Sequence, residues 1–154
     1  MAAGTFTLFR SNLDDLNPND LVGTTVKIAL VSSTYTPDAT NTGHDEWADV
    51  SANEIANGNG YTTGGATIAN DAASTATNGF KYDSDDPSWT ASGGNIPAWR
   101  YAVMYVSGSL WSKTNPLIGY FLGDTTPADV PATSDGNPLT ITVPTAGWFT
   151  VTQA

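Results

Sequence analysis

Hydrophobic residues along this chain recur in short runs, separated by stretches rich in Gly, Pro, Asn, Asp, Ser and Thr. The most continuous run, residues 100–106, contains β-branched, aromatic and small apolar side chains, and Pro97 and Gly108 bracket it. Because so short a run is apolar on both sides, it predicts a central strand that is covered on both faces. Residues 117–122 form a second apolar run and are predicted to pair with it.

Alternating patterns predict further strands on either side of this run. In residues 22–31, Val26, Ile28 and Leu30 point to one face, which is predicted to be core, while the opposite face is mixed in polarity. Shorter strands are predicted at 61–68, 79–83, 85–90, 138–143 and 147–152. The last two of these are predicted to pair with each other as a C-terminal hairpin.

Helical signals are few and short. One short helix is predicted over residues 45–55, with Trp47 as its anchor, because apolar residues there fall at helical spacing. A single helical turn is predicted near the N-terminus, capped by Ser11 or Asn12 and ended by Pro18. No element is predicted at 70–78, which is polar and small.

The number and spacing of these elements define the expected fold. About seven to eight short strands, with turn signals every ten or so residues and one short helix, indicate an all-β protein. We therefore predict a single-domain antiparallel β-sandwich over residues 1–154, with residues 1–21 as a candidate N-terminal arm. Residues 123–137, which contain two prolines, are predicted to form a long surface loop.

Composition narrows the function classes. Fifteen acids against five bases give a formal charge of −10, so we expect no nucleic acid partner and no attraction to an anionic membrane. No stretch reaches the roughly 20 apolar residues of a membrane-spanning helix, and no signal-peptide pattern is seen, so neither membrane insertion nor export is expected. The chain has no cysteine, which excludes disulfides, thiolate zinc sites and cysteine nucleophiles.

Candidate catalytic and metal-binding residues are also few. His44 is the only histidine, and no Gly-x-Ser-x-Gly motif provides a serine for it, so a polar loop histidine is the favoured interpretation. Adjacent acids such as Asp45 and Glu46 do not provide the opposed carboxylates of a glycosidase. The acids from Asp83 to Asp86 offer oxygens at alternating positions, as calcium requires, but lack the glycine and distal glutamate of an EF-hand loop. We predict no enzyme activity, no cofactor and no metal, and leave cation binding at the last cluster open.

The aromatic residues include the candidate partner contacts. The five tryptophans could form a sugar-stacking platform, but in a cysteine-free β domain most are expected to anchor the core or an interface. Trp111 lies in a predicted exposed loop and is the best candidate for contact with an outside partner. Phe6, Leu8 and Phe9 are further candidates, because their segment could pair with a partner's strand edge, although an ordinary edge strand of the domain is the favoured alternative.

Three blocks of sequence, taken in order, resemble a known family. They are 26–31 with 35–38, then 44–55 with 60–66, then Trp89 with 100–105 and 116–120. In order and spacing they resemble the small structural proteins of tailed bacteriophages, which are head decoration or tail-associated components of the virion. The resemblance covers roughly residues 22–122, and the predicted C-terminal hairpin fits it. It implies a virion structural protein, and no catalytic residues come with it.

The resemblance and the charge together favour one location. A chain of charge −10 would repel packaged DNA inside a phage head, whereas outside the shell that charge costs little. We therefore expect a capsid decoration or cement protein, made in the host cytoplasm and placed on the capsid exterior of the virion. Its expected partners are the major capsid protein and copies of itself, in a trimer or a capsid-templated oligomer. The alternative is a tail or fibre module that binds host surface glycans.

Overall fold

The computed structural model of the protein describes residues 4–40, 42–124, 126 and 128–152. These residues form antiparallel strands, one short α-helix and three 3-10 turns, so the predicted all-β fold class is confirmed. Twelve strands are described rather than seven or eight, because several are only two or three residues long. They belong to several sheets.

The twelve strands follow one another with few helical interruptions. Their bounds are β1 Thr7–Leu8, β2 Val26–Val31, β3 Ala66–Thr67, β4 Ala72–Ala76, β5 Gly79–Asp83, β6 Ser88–Thr90, β7 Tyr101–Val106, β8 Ser109–Leu110, β9 Lys113–Thr114, β10 Leu117–Leu122, β11 Pro138–Thr140 and β12 Phe149–Thr152. The helix α1 spans Pro18–Leu21, and the 3-10 turns span Arg10–Asn12, Trp47–Asp49 and Ser51–Asn53.

A five-stranded sheet lies at the centre of the fold. Its strand order is β1-β10-β7-β2-β3, and every neighbouring pair is antiparallel. The middle strand is β7, which confirms the central position predicted from its continuous apolar run. Its neighbour β10 was also predicted. Smaller sheets, β11-β6, β12-β5-β4 and β8-β9, surround it.

Both faces of the five-stranded sheet are buried. On β2, Ile28 and Leu30 belong to the larger core, which also contains residues of the β11-β6 and β12-β5-β4 sheets. Ala29 and Val31, on the opposite face, belong to a second core. That face was predicted to be mixed in polarity, but residues of the loop after β2 cover it. Trp47 is the largest side chain that this loop places in the second core. The sheet therefore has apolar packing on both sides.

A bulge in β10 shapes the N-terminal edge of this sheet. Leu117 pairs with Tyr105 and Gly119 pairs with Met104, so one residue of β10 is extra. Gly119 has no side chain, and the ring of Phe6 occupies the place where a Cβ would stand. The glycine thus allows β1 and its aromatic neighbour to approach β10 closely.

The helical elements near the N-terminus differ from the prediction. Residues Arg10–Asn12 form a 3-10 turn, while Pro18 begins α1 instead of ending a turn. The Asn17 side chain caps α1 by accepting a hydrogen bond from the backbone N–H of Asn19 at 3.0 Å. Proline is favoured at the first helical position because its missing N–H would have no partner there in any case.

The helix predicted over 45–55 is two consecutive 3-10 turns. Trp47 and Val50 are both buried in the second core, and a spacing of three residues suits a 3-10 turn as well as an α-helix. The side chain of Asp49 accepts hydrogen bonds from the backbone N–H groups of Asp45 and Glu46, both at 3.1 Å. These bonds satisfy the start of the first turn.

The predicted C-terminal hairpin of 138–143 and 147–152 is wrong. Instead β11 pairs with β6, which places Leu139 opposite Trp89, and β12 pairs with β5. In this arrangement Leu139 of β11 and Phe149 of β12 are both buried in the larger core. Within 70–78, where no element was predicted, β4 pairs with β5.

Candidate interaction surfaces

The N-terminal segment lies against the domain over its described residues. Since β1 pairs with β10, the segment is an edge strand of the domain itself. Phe6 stacks on Phe149 with 5.7 Å between ring centroids, Leu8 is half-buried against the larger core, and Phe9 is only 1% exposed. These three candidate contact residues are therefore largely engaged within the domain. Contact with a partner through them stays a prediction.

Asn12 fixes the turn that follows β1. It is buried, and its Nδ2 donates hydrogen bonds to the backbone carbonyls of Asp45 at 2.7 Å and Leu117 at 2.8 Å. Its Oδ1 accepts a hydrogen bond from Nζ of Lys113 at 2.5 Å. One amide side chain thus joins three separate segments and holds the described part of the candidate arm, residues 4–21, to the domain. No sequence pattern indicated this role.

Trp111 lies at the tip of the β8-β9 hairpin. Its φ is 54° and that of Ser112 is 59°, an unusual left-handed pair for residues other than glycine. The Trp111 ring is half-buried against the larger core, and its Nε1 lies 3.5 Å from Oδ2 of Asp20. The side chain is therefore partly exposed on a turn with defined geometry.

The other four tryptophans are core residues. Their exposed fractions are 9% for Trp47, 6% for Trp89, 1% for Trp99 and 4% for Trp148. The indole N–H of Trp148 donates to Oγ of Ser84 at 2.8 Å, whereas Nε1 of Trp99 has no hydrogen-bond partner among the described residues. The prediction that most tryptophans anchor the core is confirmed, and these four do not form a surface platform for sugars.

His44 packs against a tyrosine. Its ring stacks on Tyr35 with 5.5 Å between centroids, and its Nδ1 lies 2.9 Å from the Tyr35 hydroxyl. Burial raises the pKa of Tyr35 well above its ordinary value, so this phenol keeps its proton and can donate it to Nδ1 in a hydrogen bond. Ser11 donates its hydroxyl to the backbone carbonyl of His44 at 2.6 Å, not to the ring. The arrangement holds a loop in place and forms no serine–histidine pair.

The acids beside His44 also have structural partners. Asp45 forms an ion pair with Lys113, with 3.2 Å between Oδ2 and Nζ. Oε1 of Glu46 accepts a hydrogen bond from the backbone N–H of Thr114 at 2.7 Å. These carboxylates connect the segment at the start of the 3-10 turns to β9.

The acids from Asp83 to Asp86 accept bonds from protein donors. Asp83 pairs with Lys81 at 2.8 Å, Asp85 accepts from an asparagine amide at 2.6 Å, and Asp86 accepts from the backbone N–H of Val143 at 2.8 Å. Among the residues that the structure describes, no group of three His, Cys, Asp or Glu side chains could hold a metal ion. The geometry gives no support to a cation site in this cluster.

The β12-β5-β4 sheet exposes apolar surface at its end near the β4–β5 turn. This surface was not predicted from the sequence. Phe80 on β5 is 45% exposed, and its partners across the sheet are Thr75 on β4 and Val151 on β12. They line a shallow depression of about 590 Å³ at the sheet's end. One feature of the sequence could have indicated this surface: residues 72–80 contain no charged residue, although the chain as a whole is strongly acidic.

Comparison with known proteins identifies no relative. The chain matches no family model, and neither the curated proteins nor the solved structures contain a significant match. Over its described residues, it has no helix with the length and apolar character needed to cross a membrane.

Proposed function

We propose that this protein is a non-enzymatic structural component of a tailed-bacteriophage virion, and specifically a capsid decoration or cement protein. It would bind the major capsid protein on the outer surface of the head and stabilise contacts between capsid subunits. The observation that supports this best is the commitment of its chemically versatile side chains to structural bonds. His44, Asp45 and Glu46, the residues considered for catalysis, instead bond to neighbouring loops and strands.

The distribution of charge supports an exterior position. Within the part of the chain that the structure describes, three of the five cationic side chains pair with acids, in the pairs Lys81 with Asp83, Arg100 with Asp129 and Lys113 with Asp45. The remaining acids greatly outnumber the remaining cations, so the surface is strongly negative. Such a surface repels packaged DNA and is better tolerated on the side of the shell that faces solvent.

The structure suits a protein that binds only the assembled shell. Because the central sheet is packed on both faces, the domain is already ordered before it binds a partner. Little of the binding free energy is therefore lost to ordering the chain. Many identical sites on a shell allow each contact to be weak. Binding to the assembled state alone then stabilises that state by mass action. Association of copies with one another, as a trimer or templated by the capsid, belongs to this proposal.

Electron cryomicroscopy of the mature particle tests the proposal. We expect density for this chain at regular positions on the outside of the head. Heads prepared without the protein should release DNA at a lower temperature than complete heads, and adding the purified chain should restore the difference. Density confined to the tail, or its absence from the mature head, would contradict the decoration assignment.

A tail or fibre module that binds host glycans is the second candidate. The observation that favours it is the partly exposed Trp111 ring on a hairpin tip of defined geometry, since indole rings stack on sugar faces. Glycan-array binding that disappears in Trp111→Ala and persists in Ser112→Ala would support it. Absence of binding across a broad array would count against it.

A further inference from the structure

The strand β4 has an unpaired edge. It is one of the two outer strands of the sheet with order β12-β5-β4. Ala76 and Gly79 flank a two-residue turn between β4 and β5, so these two residues form a hydrogen-bonded pair. Hydrogen-bonded and non-hydrogen-bonded pairs alternate along an antiparallel ladder, so Ser74 is hydrogen-bonded to β5 as well. The backbone N–H and C=O groups of Ala73 and Thr75 therefore point away from β5, towards the open edge.

Nothing in the described chain closes this edge. No backbone hydrogen bond joins β4 to any element other than β5, although α1 lies beside it. Natural edge strands are usually protected by a charged residue, a proline or a bulge. β4 contains no charge and no proline, and its register with β5 is regular over all of its residues. It is therefore an edge that another strand can extend.

Charge favours a second copy of the same chain at this position. Two copies with a charge of −10 repel each other over most of their surfaces, but residues 72–80 contain no acid and no base. In sequence, the flanking charged residues are Asp71 and Lys81, and the Lys81 ammonium is paired with Asp83 at 2.8 Å. The helix α1, which lies beside β4, contributes one acid, Asp20. A contact between two copies that is made through this uncharged stretch therefore brings few like charges together.

The exposed side chains beside the edge add apolar area. On β5, Tyr82 is buried in the larger core, while Phe80, on the same face of the strand, lies beyond the core and is 45% exposed. Thr75 and Val151 flank it on the neighbouring strands. A strand added along β4 would lie next to this row and shield part of it from water.

We propose that β4 is a self-association surface, at which two copies pair antiparallel about Ser74 across a two-fold axis. Ala73 of one copy then exchanges hydrogen bonds with the partner's Thr75, and Ser74 faces the partner's Ser74 as a non-hydrogen-bonded pair. The strands form one six-stranded sheet of order β12-β5-β4-β4-β5-β12. Each copy has one β4 edge, so the contact closes at two copies.

A cysteine at the two-fold axis tests the geometry. The chain has no native cysteine, so Ser74→Cys places one thiol in each copy. Opposite Cα atoms in a non-hydrogen-bonded antiparallel pair are about 4.5 Å apart, and disulfides form at about 4.4–6.8 Å. In a glutathione redox buffer we expect a disulfide-linked dimer. Thr67→Cys, which is exposed on the edge strand β3, is the matched control and should remain largely monomeric.

The register gives a second, independent readout. Pairing about Ser74 places Ala72 opposite the partner's Ala76, so a mixture of Ala72→Cys and Ala76→Cys chains should form mixed disulfides faster than either variant alone. Equal rates in the mixture and the single variants, or a Ser74→Cys rate no higher than that of Thr67→Cys, would overturn the proposal.

Sedimentation tests the pairing without a disulfide. We expect the native chain to form dimers and Ser74→Asp, which places two carboxylates face to face, to weaken dimerisation at least tenfold while its circular dichroism stays unchanged. A trimer, or a monomer at every concentration, would overturn the pairing. The pairing does not depend on the decoration role, but it replaces the trimer of the proposed function with a two-fold pair. A monomer that binds heads defeats only the pairing, a trimer that binds heads likewise defeats only the pairing, and a dimer that binds none defeats only the decoration role.

Discussion

The indole of Trp47 lies parallel to the phenol ring of Tyr105, with 4.5 Å between ring centroids and 6° between the ring planes. The Tyr105 hydroxyl donates a hydrogen bond to the backbone carbonyl of Gly64 at 2.8 Å. This stack connects the loop that covers the second core to the central strand β7, and the hydrogen bond extends the connection to the segment before β3. This aromatic pair is therefore one of the contacts that hold the second core together.

Removal of the Trp47 side chain is expected to lower the free energy of unfolding by about 3–5 kcal/mol, because the buried indole leaves a cavity beside Tyr105. Urea denaturation followed by circular dichroism measures this change. Trp111→Ala is the control, since its ring is half-buried at a hairpin tip, and its loss should be clearly smaller. Equal losses in the two variants would contradict the structural difference between these tryptophans.

A side chain at Gly119 is expected to displace the N-terminal strand. A Cβ there would meet the Phe6 ring and lie 2.7 Å from the backbone carbonyl oxygen of Thr7, so Gly119→Ala should cost about 1–3 kcal/mol. Amide hydrogen exchange should accelerate in residues 7–9. In a Phe6→Ala background the added cost should be smaller, because the ring is already gone. An unchanged cost in that background would show that the ring is not what Gly119 accommodates.

Loss of the Asn12 amide is expected to destabilise the junction of three segments. Asn12→Ala removes the side-chain donor from the buried contact with the carbonyl of Leu117, whereas the carbonyl of Asp45 keeps the backbone N–H of Leu117 as a donor at 2.9 Å. We expect a loss of about 1–3 kcal/mol, the usual cost of a buried polar group that loses its partner. Denaturant titration gives the value. Asn19→Ala, at an exposed position in α1, should change stability by less than about 0.5 kcal/mol. Similar effects at both asparagines would refute the buried bridge.

Stability is expected to fall at alkaline pH. Burial, with a smaller contribution from the charge of Glu54, raises the pKa of Tyr105 from 10.0 to about 12. Burial likewise raises the pKa of Tyr61 and Tyr82. Folded phenols keep protons that the unfolded chain releases, so the free energy of unfolding should fall as pH rises from about 10 to 12. Below about pH 10 this contribution should be fully present.

Tyrosinate absorbance and urea midpoints at several pH values measure this effect. Each unit of pKa difference corresponds to about 1.4 kcal/mol, so Tyr105→Phe should show a visibly flatter loss of stability between pH 10 and 12. Titration of all the tyrosines of the folded protein near pH 10 would contradict the expected burial effect.

The sequence predicted the parts of the fold that depend on local pattern. The central strand β7 and its neighbour β10 were identifiable because runs that are apolar on both sides occur where a strand is covered twice. The core position of four tryptophans followed from the size of their side chains in a chain without cysteine. These inferences need only the neighbouring residues and the composition.

Other features depend on distant residues and were missed. The partners of β11 and β12 were not predicted, because Leu139 and Phe149 pack in a core built by strands far away in the sequence. The bridge made by Asn12 depends on carbonyls more than 30 residues away. The role of Pro18 was predicted wrongly, because a proline can either end one helical turn or occupy the first position of the next. The local sequence looks the same in both cases.

The double covering of the five-stranded sheet has a consequence for how this protein evolves. The broad faces of the sheet are used for internal packing, so a substitution there mainly affects stability and has little direct effect on binding to another molecule. Recognition is left to narrow features, namely strand margins, hairpin tips and loops. Such features can diverge in sequence while the framework stays constant, which allows the same scaffold to be adapted to different neighbours.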